Sequence, residues 1–294
     1  MHSFLRAVGF SKIKSREELD KILGLVMTKP SFNKRISFED GQKRVLVEKS
    51  LEFADRIGIT VRGEYDDKGF FHLEHYFPYF TGKRPAAYEE ISINKRMDTD
   101  AYTGMADDMH FGISLIFYLQ NSLDYLEAKH RIDSHSEPLP LTLSALSTSA
   151  KVLLPVMKTS EQLKFQSDRT KRHDSLIIEV REGSEDAINS LTLDDIDTYA
   201  MVSRRIQTED IYSIVDSSFI PYGSESDNYT IIGEIKEVTF HVNTMTGEHL
   251  TELLVFCNEL NFYVCMNKED LIGEPAVGRR FKGNVWLQGL VDFG

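Results

Sequence analysis

The chain has 294 residues, more than a single hydrophobic core usually serves, so two folding units of roughly 100 to 200 residues each are the expectation. With 41% hydrophobic residues and a net charge of -12, it has enough apolar surface to fold and an acidic field that repels phosphate backbones and anionic lipid. The global charge therefore disfavours nucleic-acid and membrane-surface roles, and the longest strongly apolar stretch, residues 111–119, is too short to cross a bilayer as a helix.

Charge is unevenly placed. Residues 1–170 hold 24 Lys+Arg and 24 Asp+Glu, whereas residues 171–294 hold 10 and 22, so the acidic surplus is C-terminal. The shift falls beside the polar segment 160–174 and predicts an N-terminal domain over 1–165 and an acidic C-terminal domain over 171–294. The opening residues carry no basic leader followed by a long apolar core, and two cysteines fit a reducing compartment, so a cytoplasmic protein is expected.

In chain order, Ser15-Arg16-Glu17-Glu18 reads as a capping box that opens a helix with Leu19, Ile22, Leu23 and Val26 at helical spacing. Residues 43–77 are β-rich, and the Asp66-Asp67-Lys68-Gly69 turn predicts a hairpin of 58–65 with 70–77. Ile91-Ser92-Ile93 predicts a strand, and the continuous apolar run 111–119 one buried on both faces. Residues 121–129 suit either strand or helix. The Ser/Thr/Leu-rich stretch 139–157, with Lys151 its one formal charge, predicts a buried or half-buried strand pair. The N-terminal unit is thus expected to be an antiparallel sheet with helices, an α+β arrangement. The C-terminal unit begins with strand 176–180, a short helix opened at Gly183, and a longer one opened by Thr192. It ends in a module, 229–293, of short strands at close spacing, predicting a small β-barrel of the oligonucleotide/oligosaccharide-binding (OB-like) kind. Within it, Cys257 is expected opposite Phe262 and Cys265 opposite Leu254, with no disulfide.

Each chemistry-bearing motif has a structural alternative. The carboxylates Asp98, Asp100, Asp107 and Asp108 crowd one turn, but the spacing lacks the ligands of a helix-loop-helix calcium site, and no metal or cofactor is expected. His72, Glu74 and His75 fail the spacing that brings two histidines onto one helix face for zinc. Asp194, Asp195 and Asp197 could divide donor and acceptor roles, with His173 and Asp174 nearby in sequence, but after Thr192 they fit the capping of a helix N-terminus better. No phosphate-binding glycine loop or nucleophile elbow is found. The most suggestive surface is Arg280, Lys282 and Trp286, which share one face of a strand over 279–288 and combine cations with an indole.

Three blocks carry a resemblance: His2 to Ser11, Leu193 to Tyr199 with Ser203 to Ile206, and the Gly273 to Gly289 block GEPAVGRRFKGNVWLQG. Along its whole length the chain resembles an uncharacterised family of Firmicutes proteins, the domain of unknown function DUF3881. The resemblance implies no activity and no catalytic residues. The residues themselves favour a non-catalytic protein-interaction or regulatory protein, whose acidic half steers a basic partner and which is open to self-association. The alternatives are a single-stranded nucleic-acid binder acting through Arg280, Lys282 and Trp286, and a small-ligand binder or hydrolytic enzyme with an interdomain pocket.

Overall fold

The structure, a computed structural model, describes residues 1–39, 43–66, 68–96, 101–108, 113–132, 138–156, 211–223 and 226–294, with scattered positions between 172 and 193. Among these residues the protein is mostly β with few helices: one four-stranded antiparallel sheet and one large mixed sheet. This is richer in strands than the expected α+β arrangement; of the expected strand 176–180 the described residues Leu176 and Glu179 are helical, and most of the region expected to be α/β lies outside the described residues.

A 3-10 helix over Ser3–Val8 leads into α1 (Arg16–Thr28). The predicted capping box closes both ways: Glu18 N donates to Ser15 Oγ and Ser15 N to Glu18 Oε2, each at 3.2 Å. All four side chains expected at helical spacing in α1, Leu19, Ile22, Leu23 and Val26, are buried, which gives the helix one packed face. The four-stranded sheet follows as β1 (Phe32–Glu39), β2 (Lys43–Ala54), β3 (Ile57–Tyr65) and β4 (Phe71–Phe80), paired in that order. The expected hairpin is β3–β4, and Asp66 Oδ1 holds its turn by accepting Lys68 N and Phe70 N.

The large sheet takes strands from both halves of the chain. From the first half come β5 (Ala87–Glu89), β6 (Ile91–Lys95), β7 (Tyr102–Asp108), β8 (Ile113–Leu119) and β9 (Leu139–Leu153), with α2 (Ser122–Ile132) between β8 and β9. From the second come β10 (Ser218–Pro221), β11 (Asn228–Val242), β12 (His249–Cys257), β13 (Leu260–Asn267), β14 (Leu271–Ile272) and β15 (Arg280–Val291), after the short α3 (Ile211–Ile214). The order is β10-β11-β12-β13-β9-β15-β8-β7-β6, with β5 and β14 on β9. Because β11 also pairs with β15, the strands β11, β12, β13, β9 and β15 pair in a closed circuit, antiparallel except for β13–β9.

Two local expectations are corrected. Residues 139–153 form one long strand rather than a pair, because nothing between Leu141 and Leu153 supplies the Gly, Asn or Asp that reverses a chain; the irregularity there is a bulge opposite Asn284/Val285. The β12–β13 turn is tighter than expected. Asn258 and Glu259 both have positive φ, 46° and 71°, a two-residue turn that sets Cys257 opposite Leu260 and Cys265 opposite Glu252. Both thiols are free and buried.

Alternation divides the apolar side chains between two cores. Odd-numbered Phe281, Val285, Leu287 and Val291 of β15 join Leu253, Val255, Phe262 and Val264 in one core, which extends to Leu115 and Phe117 of β8. Even-numbered Trp286 joins Leu250, Leu254, Tyr263 and Cys265 in a second core against α1, the 3-10 helix, β3 and β4. Strand β8 serves both, Leu115, Phe117 and Leu119 on one side and Tyr118 on the other, as its continuous apolar run predicts. Phe117 lies between two glycines: a Cβ on Gly104 or Gly289 would fall 2.2 or 2.3 Å from its ring atoms.

Candidate functional site

The seam between the two sheets is polar as well as apolar. Arg62 on β3 donates to Glu48 Oε2 at 2.6 Å, to the Tyr118 hydroxyl at 3.3 Å and to the Gln120 carbonyl, with its guanidinium 4.6 Å from the Phe77 ring centroid. Burial raises the Glu48 carboxyl against the pull of Arg62, and pushes Tyr118 up to about 12. Beside them, Gln120 Nε2 donates to the Phe80 carbonyl and to Gln288 Oε1, while Gln288 Nε2 donates to the Pro78 carbonyl. These contacts tie β4 to β8 and β15 through side chains where the two sheets share no ladder.

A second buried group centres on Glu252, which is 2% exposed. Its Oε2 accepts from Arg56 at 2.6 Å and His241 at 2.7 Å, and its Oε1 from Lys83 at 2.9 Å. Burial alone would raise this carboxyl, but the donors on Lys83, His241 and Arg56 outweigh it and hold Glu252 below the usual range. The thiols are poor nucleophiles: burial pushes Cys257 up to about 12 and Cys265 higher still.

Of the predicted surface residues, Trp286 is 4% exposed. Its ring lies 4.8 Å from His2, 5.4 Å from Phe4 and 5.0 Å from Tyr118, and its Nε1 donates to Asp227 Oδ2 at 2.9 Å. Arg96 reaches the other Asp227 oxygen at 3.3 Å. Burial, with His75 and the chain amine nearby, lowers His2 to about 4, so its ring is neutral in this cluster.

Arg280 and Lys282 do come together, around a residue the sequence did not single out. The Arg280 guanidinium donates to the carbonyls of Tyr212 and Val215 at 2.6 Å and of Leu154 at 2.9 Å, so it caps the C-terminal end of α3. Lys282 Nζ donates to the Tyr212 hydroxyl and sits 4.1 Å from the ring centroid. Lys151, directly opposite Lys282 across β9–β15, places its own Nζ 5.3 Å from the same ring. A lone lysine in a Ser/Thr/Leu strand was the signal that could have found it. Among the described residues, no carboxylate is within ion-pair distance of Lys151, Lys282 or Arg280; Asp216 acts on Arg280 only from further away.

Asp194, Asp195, Asp197, His173, Asp174, Asp98 and Asp100 lie outside the described residues, as do the side chains of Asp107 and Asp108. Among the described residues no group of three or more His, Cys, Asp or Glu is placed to hold a metal ion, and no helix is long and apolar enough to cross a membrane. His72 pairs with Asp66 at 2.9 Å, and His75 contacts the Tyr118 hydroxyl at 3.2 Å. A cleft of about 370 Å³ opens between β1, α2 and the ends of β9 and β15. Its lysine, Lys34, is held by Asp124 and, at 2.7 Å, by Glu127.

No curated protein and no solved structure matches this chain. A family model does, over residues 5–289, nearly the full length, as the blocks spread from His2 to Gly289 predict. The chain belongs to that family, described as "Domain of unknown function, E. rectale Gene description (DUF3881)".

Proposed function

We propose that this chain is a non-catalytic protein-interaction or regulatory protein, and that its C-terminal strands, closed by β9, form a small five-stranded OB-like barrel. The closed pairing of β11, β12, β13, β9 and β15, with a single parallel pair, supports the barrel reading. The observation that carries the functional reading is a contrast of surfaces. Glu48, Arg62 and Glu252 are consumed in internal contacts, whereas Leu154, Ile272 and Val277 stand largely exposed beside cations that no described carboxylate neutralises. Exposed aliphatic side chains rimmed by charge are what a partner surface presents.

At long range the acidic surplus steers a basic partner, as charge asymmetry does in association generally. Cross-linking of the tagged full chain in its own cells, followed by mass spectrometry, tests the reading. A stoichiometric protein partner is expected; sustained substrate turnover that disappears when one seam residue is substituted would contradict it. The nucleic-acid reading keeps Lys282 in its favour but not Arg280, which is buried and donates to backbone carbonyls. It requires the Trp286 indole to leave the rings of His2, Phe4 and Tyr118 before a base could stack on it.

A further inference from the structure

We infer that the outer face of β14, β9 and β15 docks a segment of a partner protein that carries an acidic side chain next to an aliphatic one. This rests on the protein-interaction reading and narrows it. Register places Ile272 beside Lys151 and Lys151 beside Lys282, so one row across three strands reads aliphatic, cation, cation. Neighbouring strands are about 4.8 Å apart, so the whole row is within reach of two or three consecutive partner residues. Ile272 is 74% exposed; Leu154, just past the end of β9, and Val277, in the loop before β15, are 74% and 67% exposed.

The lysine pair gives the surface its sign. Like charges directly opposite on adjacent strands repel. The Tyr212 ring, 4.1 Å from one ammonium and 5.3 Å from the other, offsets part of that repulsion but adds no negative charge. A carboxylate set between Lys151 and Lys282 would complete both, with the aliphatic neighbour resting on Ile272. The net charge of -12 favours the opposite partner at a distance. At physiological salt, however, the Debye length is about 8 Å, so a segment already in contact is selected by the local row rather than by the distant acids.

The test is a fluorescence-polarisation titration of the full chain with a short labelled peptide of alternating glutamate and leucine, and with its lysine-for-glutamate counterpart. The acidic peptide is expected to bind, more weakly as salt rises. It should lose about tenfold in affinity or more against the Lys151→Glu/Lys282→Glu double variant, and several-fold against Ile272→Ser. The basic peptide should not bind. Equal binding by variants that melt like the parent, no binding of the acidic peptide, or preference for the basic one would each overturn the site. If the acidic peptide is inert while a partner is held through other residues, the site fails and the interaction reading stands; if no partner is held either, both fail.

Discussion

The two ends of the even-numbered face of β15 differ in how the charges around them are met. Near Trp286 and Gln288, towards the four-stranded sheet, cations meet buried carboxylates: Arg62 meets Glu48 at 2.6 Å, and Arg56, Lys83 and His241 converge on Glu252. At the other end, near α3, Arg280 is spent on backbone carbonyls, and among the described residues the Lys151–Lys282 pair shares a tyrosine and no carboxylate. The first pattern belongs to a protein holding its own layers together, since a buried charge without a partner is costly. The second leaves two ammonium groups that no described carboxylate meets, and the proposed docking of an acidic segment rests on them.

Arg62 carries the seam most heavily. Arg62→Ala leaves Glu48 buried without its partner and removes the link from β3 to β8, so a loss of about 3–5 kcal/mol in chemical denaturation is expected. A loss below about 1 kcal/mol would mean the seam is not structural. Next is Gly289→Ala, whose Cβ would press on the Phe117 ring; overpacking there should cost about 1–3 kcal/mol, read from the same melts.

A pH titration sharpens the account of the His2 cluster. The folded state lowers His2 from 6.5 to about 4, so the unfolded chain binds the proton more readily. The contribution of His2 is therefore complete above its unfolded value and is lost as pH falls from about 6.5 towards 4. His2→Gln should flatten the fall in urea midpoint across that window; an unchanged slope would place the ring in water instead. The smallest effect is expected for Ile272→Ser, within about 0.5 kcal/mol in thermal melts, because the side chain is 74% exposed.

Much of this was legible in local pattern. The capping box at Ser15, the Asp66 turn, the doubly buried β8 and the even-numbered face of β15 all follow from spacing alone. What spacing does not encode is which distant strand becomes a neighbour. The charge balance shifts near residue 171, yet β9 before the shift pairs with β13, β14 and β15 after it, because composition reports the solvent face while pairing is set by the ladder and the apolar alternation. For the same reason Arg280 and Lys282 could be assigned to one face, but not their meeting with Lys151 and Tyr212. The indole of Trp286 looked like a surface group until His2 and Phe4, from the other end of the chain, were seen to cover it.

The most direct test of the contrast is the thermal and urea stability of the Lys151→Ala/Lys282→Ala double variant. Cross-strand repulsion and the shared Tyr212 contacts nearly cancel, so stability should stay within about 0.5 kcal/mol of the parent or rise slightly. A loss of about 2 kcal/mol or more would show that the outer lysines serve the fold as Arg62 does, and would contradict the assignment of that face to a partner.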